Sequence, residues 1–145
     1  MRRKPDLLTP DLFEVPVPAS ALPGELDYSL AIRRLLVDAI KESGISSAII
    51  AARMGELTGA TISEHQLHSW TAPSRDGWRF PLEYLPAFEV ACDTHAVSSW
   101  LCKVRGGRML IGRDAFNAEI GRLERMRDEA GKRIKALKAA AGEIK

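Results

Sequence analysis

Two cysteines, Cys92 and Cys102, are all that the sequence offers for cross-linking, and a chain of 145 residues is long enough to bury a core without such staples. Both thiols are therefore expected in reduced form, as in a cytosol. Nearly half of the residues are hydrophobic, yet no apolar run approaches the roughly 18 residues that a bilayer crossing needs, which excludes a membrane-spanning protein. Met1, Arg2, Arg3 and Lys4 resemble the start of a signal peptide, but Pro5 and Asp6 follow where an unbroken apolar stretch is required, so secretion is not indicated. A glycine-rich phosphate loop is missing, no serine sits in a nucleophile-elbow setting, and the Ser98-Ser99 pair has no base assigned to it. The expectation is neither an enzyme nor a binder of small-molecule substrates, with no cofactor.

A basic excess is also missing where it would matter. Residues 1–25 carry three basic and four acidic side chains and residues 26–112 carry nine of each, while residues 113–145 carry nine basic against six acidic. Phosphate contacts supply much of the affinity of nucleic-acid binders, so the balanced centre gives such a function little support from composition alone.

What is present is helical period. Five of the eight prolines, Pro5, Pro10, Pro16, Pro18 and Pro23, fall in the first 23 residues, and residues 1–25 read as an extended arm in which Phe13, Val15 and Val17 alternate. From Asp27 the apolar residues Ile32, Leu35, Leu36, Ala39 and Ile40 share one helix face, with Asp27 or Ser29 as cap and Gly44 as stop. A second helix is expected after Ser46 or Ser47, with Ile49, Ile50, Met54 and Leu57 as its apolar residues and Gly59 as its end. In "TISEHQL" both Thr61 with Glu64 and Ser63 with Gln66 fit the capping-box spacing, so a third helix starts here in one of two registers. Residues 71–80 read as a loop containing Pro73 and Asp76-Gly77. Pro81 suits the first turn of a fourth helix bearing Leu82, Leu85 and Phe88, which Pro86 should kink or delay. Asp93 or Thr94 caps a fifth, with Val97, Trp100, Leu101 and Val104 as its buried stripe.

Beyond Gly112, Phe116, Ile120, Leu123, Arg127, Ala130, Ile134, Leu137, Ala141 and Ile144 recur at alternating steps of four and three, a heptad seam. A helix this polar is marginal alone, so Phe116, Ile120, Leu123, Ile134, Leu137 and Ile144 are expected to seek a partner, either a second copy or the body of the domain, with the copy preferred. The fold class is all-α: a helix-turn-helix domain over 26–111 and a long C-terminal oligomerisation helix over 112–145.

Helices one to three carry the functional reading. Small Ala51 and Ala52 permit a close crossing, a turn lies near Gly59, and Leu67 and Trp70 anchor a short helix that leaves another face free for a major groove. Candidate base contacts are Ser63, Glu64, His65, His68 and Ser69; glutamate accepts from cytosine, and serine and histidine reach base edges. Arg53, Arg75 and Arg79 are candidate phosphate contacts, with Lys103, Arg105 and Arg108 in reserve. The bland alternative is an ordinary helical hairpin. A rival zinc site can be drawn from His65, His68, Cys92, His95 and Cys102, though it requires distant segments to converge and the cysteines sit in apolar helical surroundings. A further alternative is an adaptor or inhibitor that binds protein through the same fold.

The stretches "AARMG", "QLHSWTAPSRDGWRFPLEYLPAFEVACD" and "HAVSSWLCKVRGG" resemble, in pattern more than identity and over about residues 30–110, the CII-like helix-turn-helix regulators of temperate phages. That resemblance implies a compact all-α DNA-binding domain whose C-terminal helix builds dimers or tetramers, so that paired domains grip repeated operator sites on double-stranded DNA. It also implies a transcriptional regulator of phage or prophage type in the cytoplasm of a bacterial host.

Overall fold

A computed structural model describes residues 17–75 and 77–143. Phe13, Val15, Asp76 and Ile144 lie outside the described residues. The described residues are all-helical, without a strand, and divide into two compact units, one reaching Met109 and one beginning at Leu110. Among them no helix is long and apolar enough to cross a membrane.

The first unit holds α1 (Ser29–Ser43), α2 (Ser47–Thr58), α3 (Glu64–Thr71), a 3-10 turn (Leu82–Tyr84), α4 (Leu85–Cys92) and α5 (Ala96–Val104). Local chemistry sets each boundary. Asp27 accepts from the Ser29 amide at 3.0 Å and hydroxyl at 2.7 Å, tethering the start of α1. Ser46 caps α2, and Gly59 ends it at φ 70°, a left-handed turn that a side chain would oppose. Pro86 delays α4 rather than kinking it: Pro81 introduces the 3-10 turn, and Pro86 falls in the first turn of α4, where a missing amide costs no hydrogen bond.

The core is built by α2 packing on α4 and α3, with α1 laid across α3, α4 and α5. Leu36, Ile50, Met54, Leu67, Phe88 and Val97 are fully enclosed, each contributing about 1.5–3 kcal/mol by leaving water. Trp70, Phe80, Tyr84 and Phe88 form a chain of aromatic contacts with centroids 5.4–5.9 Å apart, joining α3 to α4 through the loop between them. Tyr28 meets Trp100 edge-on at 5.0 Å, closing α1 on α5.

Two expected stripes are corrected. In α2 the inward residues are Ile50, Ala51 and Met54, while Ile49 and Leu57 are 59% and 52% exposed. In α5 only Val97 is fully buried, and Trp100, Leu101 and Val104 are half-buried. Of the N-terminal arm, Val17 is exposed, whereas the Ala19 amide donates to the Val104 carbonyl at 2.9 Å. That strap runs so close that a Cβ at Gly106 would meet Pro18 at 2.8 Å.

The second unit is dominated by α6 (Arg113–Glu143), a single helix of 31 residues with no buried side chain.

Candidate nucleic-acid interface

The Ser63 register sets α3. The Ser63 hydroxyl accepts from the Gln66 amide at 3.1 Å while Gln66 Oε1 accepts from the Ser63 amide at 2.9 Å, completing the capping box. Thr61 and Glu64 are not the capping pair, and the Glu64 carboxylate is left on the surface, 3.9 Å from His68 Nε2 one turn on. Glu64, His65 and His68 are exposed together, and Leu67, Trp70 and Thr71 face inward. A short helix thus stands on the core by one side and offers the other to solvent.

Ser69 does not belong to that outward row. It is 1% exposed, and its hydroxyl accepts from Arg75 at 3.0 Å. Arg75, in the loop that follows, reaches back to it, and α1 packs against the same helix. Ser63 is exposed, but its hydroxyl is committed to Gln66.

Arg33 holds that loop. Its guanidinium, buried at the inner face of α1, donates to the carbonyls of Ala72 at 3.2 Å, Pro73 at 3.1 Å, Arg75 at 2.9 Å and Trp78 at 2.8 Å. A planar fork of five donors suits such a convergence of carbonyls, which a single ammonium could not serve. Arg75, Trp78 and Arg79 are consequently presented on a tethered loop beside α3. Sequence reasoning missed Arg33; its only signal was an arginine set in line with Leu36 and Ala39 on the buried face.

The three expected phosphate contacts separate. Arg75 is exposed and anchored on α3 through Ser69. Arg79 lies near Asp27, whose carboxyl is held below its ordinary value by the hydroxyl and amide of Ser29, with Arg79 adding attraction. Arg53 instead lines a cleft of about 350 Å³ with Pro86, Glu89, Asp93 and His95, so two carboxylates accompany it at the α4–α5 end. Lys103, Arg105 and Arg108 are exposed around the end of α5.

The zinc arrangement is not assembled: among the described residues no three histidine, cysteine, aspartate or glutamate side chains converge. Cys92 is buried in α4, where burial and then the charge of Glu89 push its thiol up to about 11. Glu89 serves α5, accepting from the Ser98 amide at 2.8 Å and hydroxyl at 2.6 Å. Ser98, to which the sequence assigned no base, thus donates its hydroxyl to a carboxylate on α4.

On α6 the seam is bare. Phe116 is 73% and Leu137 70% exposed, and Ile120, Leu123 and Ile134 are also exposed.

No protein-family model matches the chain, and comparison with curated proteins and with solved structures gave no match.

Proposed function

We propose that the chain is a DNA-binding transcriptional regulator in which α2 and α3 act as a helix-turn-helix and α6 joins two copies. The observation that carries this reading is α3 itself, a short capped helix pinned by Leu67 and Trp70 with Glu64, His65 and His68 free on its outer side. Glu64 accepts from cytosine and the histidines meet base edges or phosphates, while Arg75 and Arg79 on the clamped loop contact backbone phosphates. The resemblance to CII-like phage regulators points the same way. Double-stranded DNA and a second copy of the chain are then its partners, and its role is binding rather than catalysis.

Few cations make pairing necessary. Two phosphate contacts per copy give a slope of log affinity on log salt of about −2 for one copy and about −4 for a pair. Mobility shifts on random duplex across a salt series test this: a steep loss of binding with salt supports the reading, and no shift in dilute salt overturns it.

A protein partner is the second reading, favoured by the outer face of α2. Ile49 and Leu57 are exposed there with Arg53 between them, and the outward row of α3 holds neither arginine nor lysine. In that case the mobility shift is absent and Ile49→Asp abolishes capture of the protein target.

A further inference from the structure

We infer that α6 pairs with α6 of a second copy in antiparallel orientation, an inference that rests on the self-association proposed above and specifies its geometry. The seam contains two weak places, Arg127 and Ala130, close to its middle. In a parallel, in-register pair each faces its own copy, so two guanidinium groups meet in one inner layer and two alanines leave the next one underfilled. The flanks add to the conflict. Positions beside the seam would set Glu119 against Glu124 of the second copy and Arg133 against Lys138, like charge against like. Glu119 is partly relieved by Arg122 on its own helix, 2.6 Å away, so the decisive repulsions are those of Arg127 and of Arg133 with Lys138.

Reversing one helix takes the two Arg127 side chains out of a shared layer and separates Arg133 from Lys138. Ile120 then packs on Leu137 of the second copy and Leu123 on its Ile134, large against large. Arg127 crosses Ala130, whose methyl leaves room for the aliphatic stem, and the head group stays at the rim where Asp128 already accepts from it at 3.1 Å. Arg133 comes opposite Met126, and Lys138 opposite Asn117. The central layer that spoils a parallel pair becomes the layer that sets the register of the antiparallel one. With a rise of 1.5 Å per residue, the two Arg113 ends lie about 46 Å apart, at opposite ends of the rod.

Cysteine pairing in the full-length protein tests the orientation. Under oxidised glutathione, the double variant Ile120→Cys with Leu137→Cys forms a covalent dimer, and Ile120→Cys alone does not; the unaltered chain, which carries buried Cys92 and half-buried Cys102, is the control. Spin labels on Ala139, placed outside the seam so that packing is undisturbed, then lie more than about 30 Å apart, against less than about 25 Å for a parallel pair. A covalent dimer from Ile120→Cys alone, or the shorter label distance, overturns the orientation while leaving self-association intact. A monomer mass for the unaltered chain by light scattering overturns self-association and the orientation with it.

Discussion

Arg33 in α1 donates to the backbone carbonyl of Trp78 at 2.8 Å, across 45 positions of chain, and the same guanidinium holds three more carbonyls of the loop after α3. Replacing it leaves those carbonyls to water and removes a buried fork of charge-assisted bonds. Arg33→Met should lower unfolding free energy by about 2–4 kcal/mol, and Arg33→Lys should recover only part of that. Urea denaturation measures the loss. Hydrogen exchange of residues 77–80 should accelerate in both variants, and unchanged exchange would contradict the clamp.

Gly55 sets how tightly α2 meets the turn into α3. A Cβ there would stand 2.9 Å from the carbonyl oxygen of Ala60, a backbone atom that cannot swing aside. Gly55→Ala should therefore destabilise by about 1–3 kcal/mol despite the better helix propensity of alanine. Thermal unfolding checks the sign: a stabilised variant would show that the turn has slack.

Glu89 ties α4 to the first turn of α5 through Ser98. Glu89→Ala leaves the Ser98 amide without its carboxylate partner at a half-buried helix start and should cost about 1–2 kcal/mol. Ser98→Ala, which retains the amide bond and loses only the hydroxyl, should cost less than Glu89→Ala in the same urea titration.

These three positions also mark where sequence legibility stopped. The glycine stops Gly44 and Gly59 were readable because they are local, whereas the sequence left two capping boxes open at α3 and two outcomes open at Pro86, and the α5 N-cap is His95 rather than Asp93 or Thr94. Arg33, Glu89 and Ser69 depend on segments 6 to 45 residues away, and a polar residue bonded across such a distance looks, in sequence, like a polar residue facing water. Ser69 was placed outward for that reason, since nothing local announced that Arg75 would fold back onto it. Ile49 and Leu57 show the opposite limit: both are apolar residues of the second helix, yet only Ile50, Ala51 and Met54 of α2 are buried. The row of Glu64, His65 and His68 was legible because Leu67 and Trp70 fixed the inner side of so short a helix.

Cys92 gives the fold an alkaline sensitivity. The unfolded thiol ionises near 9.0 and the folded one at about 11, because burial and then Glu89 disfavour the thiolate. Between those values the unfolded chain has released a proton that the folded chain retains. Its contribution to stability is therefore complete below pH 9 and falls as pH rises towards 11. The urea midpoint of the unaltered protein should drop more across that window than that of Cys92→Ala; parallel curves would show that the thiol titrates alike in both states.

The most direct measurement is selection of bound sequences from a random duplex library, run with the unaltered chain and with His65→Ala plus His68→Ala. The unaltered protein should enrich two inverted half-sites, as a two-fold pair of reading helices demands, and the double variant should retain binding while losing preference at the same positions of each half-site. Enrichment of no sequence, or an identical preference in the variant, would contradict the placement of α3 in the major groove.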